Sequence, residues 1–133
     1  MIEATRLIDP ISFPDLLSGG WQNMPFEPFR EGVEICELWH TDTPRQGPRM
    51  ALLRYEPGAS VPLHEHTGIE TILVLEGGQS DERGHYAAGS VVINSEGSRH
   101  SVTSAQGCVV LIHWARPVHI LETNSPVESG GKA

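Results

Sequence analysis

From Gly32 onward the chain alternates short apolar runs with turn residues. The runs are "VEICELWH", "MALLRYE", "SVPLHEH", "ETILVLE", "GHYAAG", "SVVIN", "HSVTS", "CVVLIHW" and "PVHIL". Most are rich in Val, Ile or Leu, all are a strand's length, and Gly, Pro, Asn, Asp or Ser separates them, which is how a sandwich or barrel reads. Nothing between them is long enough for a crossover helix, so a parallel βαβ arrangement is disfavoured. The opening segment reads differently. Pro10, Pro14, Pro25 and Pro28 interrupt regular structure, and only "DLLSGG" suggests a helical turn, ended by Gly19 and Gly20. The expectation is an all-β fold in which residues 1–24 form a Pro-rich N-terminal arm, residues 25–122 the main body, and the small, polar residues 123–133 a disordered tail.

Composition narrows this picture. A chain of 133 residues can bury one hydrophobic core, and its 14 glycines and 10 prolines suit many turns better than long helices. The net charge of −8 offers no basic footprint for a phosphate backbone, so nucleic acid is not an expected partner. No apolar run approaches the roughly 18 residues that span a bilayer. The start, "MIEATRLIDPISFPDLL", has neither the positive region nor the apolar segment of a signal peptide. The expected location is the cytoplasm, with no membrane association. There, Cys36 and Cys108, which lie in apolar runs without a CxxC partner, are expected to be buried thiols rather than a disulfide.

The candidate chemistry lies in "PGASVPLHEHTGIETILVLEGG". On a strand, alternate side chains share a face, so His64 and His66 point one way and Glu65 the other. "TG" at 67 and 68 is a turn, after which a returning strand begins at Glu70 and can face the same space; His100 begins another run. Three neutral imidazoles and a carboxylate make a strong site for Zn, Fe, Mn or Ni, with positions left over for water or substrate. Histidine alone is weak evidence, since its burial preference is intermediate. His40, His85, His113 and His119 are therefore expected to be ordinary surface or core residues.

The spacing is more specific than the residue types. Gly58, five residues, His64, one, His66, three, Glu70, six, Gly77 matches the first motif of the cupin family at every fixed position. The second motif is met by Gly89, Gly97 and His100, while Ser95 stands where a proline is usual and Ser104 where an asparagine is usual. The chain thus resembles a cupin. From about Met24 to Glu122 it is similar to the cupin half of ChrR-type anti-sigma factors and to small stand-alone relatives that include the acetylacetone-cleaving dioxygenase; "SDERGHY" and "GSRH…GC" are the more specific parts of that likeness. The resemblance implies a double-stranded β-helix, or jelly-roll barrel, holding one divalent metal ion on His64, His66, Glu70 and His100. It also implies a homodimer. The dioxygenase relatives hold iron with three histidines, whereas Glu70 suggests the four-ligand pattern of the anti-sigma cupin.

Alternation from Glu70 would turn Ile72 and Val74 inward, and from His100 Val102 and Ser104, giving an apolar cup with a Lewis acid at its floor. Arg54, Tyr55, Glu65, Arg99 and Ser104 are candidates for contacts to the ligands or to a bound molecule, since ligating histidines need acceptors for their second N–H. "SDERG" reads most simply as a solvated hairpin tip. Two functions fit. One is a metal-dependent enzyme on a small organic molecule, such as a dioxygenase cleaving a C–C bond in a diketone- or hydroxyketone-like substrate. The other is a non-catalytic metal- or ligand-binding sensor cupin. The first two dozen residues hold neither His nor Cys, so capture of a sigma factor by the zinc-binding segment of the anti-sigma relatives is not expected.

Overall fold

A computed structural model describes residues 10–43 and 46–121. The expected tail at 123–133 and the first nine residues of the expected arm lie outside them. Ten strands make up the body: β1 Glu27–Arg30, β2 Val33–His40, β3 Arg49–Tyr55, β4 Ala59–His66, β5 Glu70–Asp81, β6 Gly84–Ala87, β7 Val91–Asn94, β8 Arg99–Ser104, β9 Cys108–Trp114 and β10 Val118–Ile120. Nine correspond to the apolar runs. The tenth, β1, has Pro28 inside it and so lacked a strand pattern; it pairs only with β2, at the edge of the sheet, where a missing N–H does not break a ladder.

All pairings are antiparallel, and the order β1-β2-β3-β9-β5-β8-β4-β10 curls the sheet into a jelly roll. Strand β5 is the corner. Its first half lies between β9 and β7, and its second half pairs with β6 and reaches β8 at Ser80. Its ladder to β9 shifts register between Val74 and Glu76, where the extra residue bends the strand. Gly77 follows at φ +74°, and a Cβ there would stand 2.1 Å from the Gly107 carbonyl oxygen, so no other residue fits. The sequence pattern ended this strand at Glu76, because two glycines and a polar run follow; in the fold it continues to Asp81.

Two layers of apolar side chains explain why β3 and β9 are apolar on both faces. Ala51, Leu53, Tyr55, Val110, Ile112 and Trp114 face the interior of the barrel. Leu52 and Val109 face outward with Cys36, Leu38 and Leu75, and Trp21 packs there with Phe13, Leu16, Met24 and Phe26. A strand covered on both sides loses the polar alternation of a half-exposed one. Residues 16–18 and 20–23 form two 3₁₀ turns joined at Gly19, in place of the one turn expected. Cys36 and Cys108 are free and buried. Among the described residues no helix is long and apolar enough to cross a membrane.

Candidate metal centre

His64 and His66 share the inner face of β4, and His100 is the direct cross-strand partner of His64 on β8. The three rings lie edge to face, with centroids 4.6 to 5.1 Å apart. All three are buried, and their ligand atoms lie within 4.8 Å of one another. A register shift between Val61 and His64 produces this arrangement. It falls at Pro62, which cannot donate to a ladder, and it resets the alternation so that Val61, His64 and His66 are all buried.

Hydrogen bonds fix which nitrogen of each ring faces the centre. His64 Nδ1–H donates to the Pro62 carbonyl at 2.7 Å, and His66 Nδ1–H to the Ser98 carbonyl at 3.0 Å and the Ser98 hydroxyl oxygen at 2.9 Å. His100 Nδ1–H donates to Asp81 Oδ2 at 2.9 Å. Carbonyls and carboxylates only accept, so each Nδ1 carries the proton and each neutral ring presents an Nε2 lone pair. Burial pushes the pKa of His64 down to about 4, against the pull of the Pro62 carbonyl, which keeps that ring neutral. The Nε2 atoms of His66 and His100 are buried with no hydrogen-bond partner.

Glu70 meets this group from β5. Its direct neighbours on the flanking strands are Asn94 and Trp114, and both give it an N–H: Asn94 Nδ2 to Oε1 at 3.0 Å and Trp114 Nε1 to Oε2 at 2.9 Å. Burial alone would raise the carboxyl. Positive charge on the facing His66, and on the neighbouring His64 and His100, acts the other way, and the net direction is below the ordinary carboxylate range, so Glu70 is a carboxylate that calls for positive charge beside it. Oε1 stands 3.2 Å from His66 Nε2. A lone pair and a carboxylate oxygen so placed repel unless a cation lies with them, and partnerless buried acceptors of this kind are rare. Three imidazole nitrogens beside a carboxylate are also a donor set suited to a borderline divalent ion. The residues present therefore fit a metal.

The centre opens into a cavity of about 580 Å³ when its open mouth is counted. The enclosed part holds no more than a few waters, which limits an occupant to small molecules. Ile72 and Val102 line it as expected; Val74 and Ser104 are buried but do not. Tyr55 lines it too, and burial pushes its phenol far above the ordinary value, so it stays protonated. Of the other candidates, Arg54 is paired with Glu34 at 2.7 Å, Glu65 with Arg99 at 3.0 Å, and Ser104 Oγ donates to the Gly78 carbonyl at 2.7 Å; none of these contacts reaches the histidines. His40, His85, His113 and His119 are outside the cluster. The turn before His100 forms without the usual proline, closed by Ser98 N–H to the Ser95 carbonyl at 3.1 Å, with Gly97 at φ +89°.

Sequence reasoning missed Asp81, Asn94, Ser98 and Trp114. Each holds a site residue through its side chain or carbonyl, yet only Ser98 and Asn94 are near a motif histidine in the sequence. Trp114 had one available signal: alternation along "CVVLIHW" puts it on the same face as Val110 and Ile112.

Comparison with known proteins bears on the family and the fold. The anti-sigma-E factor ChrR of Cereibacter sphaeroides is 35% identical over 78 residues, which are 56% of this chain and 37% of that protein. In the crystal structure of Rhodobacter sphaeroides SigE with the anti-sigma ChrR, the similarity has a TM-score of 0.61 at 26% identity, over 70% of this chain and 50% of that one. The chain thus spans half or less of these relatives. An acetylacetone dioxygenase from Acinetobacter johnsonii superposes at a TM-score of 0.70 and 16% identity, over 98% of this chain and 89% of that one, a likeness of fold. The family model described as the ChrR cupin-like domain matches residues 19–118, three quarters of the sequence, and the chain belongs to that family of cupins.

Proposed function

We propose that this cupin binds one divalent ion on His64, His66 and His100 with Glu70 as the fourth ligand, and acts there as an enzyme on a small, oxygen-bearing organic molecule. The observation that carries the reading is the meeting of His66 Nε2 with Glu70 Oε1 at 3.2 Å, which with a neutral ring sets two buried acceptors side by side, a pair that a divalent ion would satisfy. Such an ion would supply a Lewis acid or, as iron, a centre for dioxygen chemistry. The chain's own residues do the rest. Asn94 and Trp114 hold Glu70 in place, the three Nδ1–H bonds hold the rings, and Val61, Ile72, Val102 and Ile112 give the carbon skeleton of a ligand a dry wall. The Tyr55 phenol stays protonated on the cavity wall, hydrogen-bonded with Gln79.

Within that reading, the favoured reaction is dioxygen-dependent cleavage of a C–C bond in a diketone- or hydroxyketone-like compound. The enclosed size of the cavity and the near full-length likeness to a dioxygenase named for acetylacetone support it. Oxygen uptake by iron-loaded protein with small 1,3-diketones and aryl hydroxyketones tests it. Uptake that depends on His64 and on substrate is expected; none with any of these compounds ends the dioxygenase reading. The 35% identity to ChrR favours a second reading, a zinc cupin that binds a small molecule without turnover. Zinc in the purified protein, with saturable ligand binding and no product, would select it.

A further inference from the structure

The hairpin tip between β5 and β6 reads from sequence as a solvated turn, but two of its side chains reach onto β8. Asp81 Oδ2 accepts the Nδ1–H of His100 at 2.9 Å, and the Asp81 side chain is only 2% exposed. Its other oxygen accepts the Arg83 backbone N–H at 2.8 Å and the Tyr86 hydroxyl at 2.9 Å, so the carboxylate is fixed from within the hairpin. Glu82 accepts the backbone N–H of Ser101 with both oxygens, at 3.1 Å each, and the Ser101 hydroxyl as well. Consecutive carboxylates thus hold consecutive residues of β8, one through the imidazole and one through the backbone. His64 and His66 differ, since their Nδ1–H groups reach main-chain carbonyls.

We infer that Asp81 and Glu82 form a latch that positions His100: Asp81 turns the ring so that Nε2 faces the cavity, and Glu82 fixes the backbone that carries it. The inference rests on the metal reading above and adds residues to it that touch neither metal nor substrate. A carboxylate behind a ligating imidazole orients the ring and strengthens it as a donor, and losing such a partner typically costs about 10- to 100-fold in metal affinity. His85 provides the control, because it lies on the same hairpin and its ring bonds Ser80 rather than Asp81 or Glu82.

The test uses the full chain with two readouts. Zn(II) affinity is measured by competition with a chromophoric chelator, and the imidazole ¹H–¹⁵N spectrum is recorded on metal-free protein. Asp81→Ala should weaken Zn(II) binding by about 10- to 100-fold and abolish the protected Nδ1–H signal of His100 while sparing those of His64 and His66. Asp81→Asn, which keeps an acceptor without the charge and serves if the alanine variant does not fold, should fall between Asp81→Ala and the parent. Glu82→Gln should broaden the His100 signal, and His85→Ala should stay within about twofold of the parent. Unchanged affinity and an unchanged His100 signal in Asp81→Ala or Asp81→Asn overturn the latch, as does an equal loss in His85→Ala. If the parent binds no Zn(II), the metal reading fails, and the His100 spectrum still decides the latch by itself.

Discussion

His66 Nε2 and Glu70 Oε1 face each other at 3.2 Å inside the barrel, and in the neutral ring the single proton sits on Nδ1, facing Ser98. Folding has brought together two groups that repel in the absence of a cation. Local structure explains how this is tolerated. Each imidazole is braced through Nδ1, and Glu70 lies between two N–H donors that the neighbouring strands place directly beside it. The site is held open by its surroundings, and a bound ion would relieve the repulsion.

The first prediction concerns pH. Burial lowers the pKa of His64 to about 4, below its ordinary 6.5, so between these values the unfolded chain binds a proton that the folded metal-free chain does not. Stability is therefore complete above about pH 6.5 and is lost as pH falls toward 4, by on the order of 3 kcal/mol for this group. Urea titrations of metal-free protein across that range check this; a stability that is flat or rises on acidification would refute the burial of a neutral ring.

The second concerns Trp114. Trp114→Phe keeps most of the apolar contact and removes the N–H that Glu70 Oε2 accepts. A buried carboxylate oxygen left unpaired costs about 1–3 kcal/mol. Chemical denaturation measures the loss, and a change below about 0.5 kcal/mol, the range of neutral surface substitutions, would mean that the bond contributes little.

The third separates backbone conformation from crowding. Gly77 and Gly97 both have positive φ, at +74° and +89°, but a Cβ on Gly97 meets open space while one on Gly77 meets the Gly107 carbonyl. Gly97→Ala should cost about 1–2 kcal/mol, the left-handed penalty alone. Gly77→Ala should cost clearly more, because the strands must move apart at the corner of β5. Equal melting temperatures for the two variants would contradict this.

Much of this was legible in the sequence, for identifiable reasons. Strand alternation put His64 and His66 on one face, and motif spacing added Glu70 and His100. Edge strand β1 was hidden by Pro28, and the outward apolar residues of β3 and β9 could not be told from inward ones, because the segment around Trp21 covers them. The supporting shell was the least legible part. Asp81 lies in what reads as a polar tip, and its partner His100 is 19 residues away. Glu65 and Arg99 pair with each other on the outside, where alternation already placed Glu65.

The fourth prediction concerns removal of the ion. A ligand that binds only the folded chain stabilises it by about 2.7 kcal/mol at a free concentration 100 times its Kd. Chelation followed by calorimetry should lower the melting temperature, and restoring Zn(II) should recover it. In His64→Ala the chelator should have no effect.

Elemental analysis of protein purified without added metal tests the central claim most directly. The account predicts about one divalent ion per chain in the parent and in His85→Ala, and a large loss in His64→Ala and His100→Ala. A parent that carries no metal and takes up none on incubation, or equal metal content across all four proteins, would contradict it.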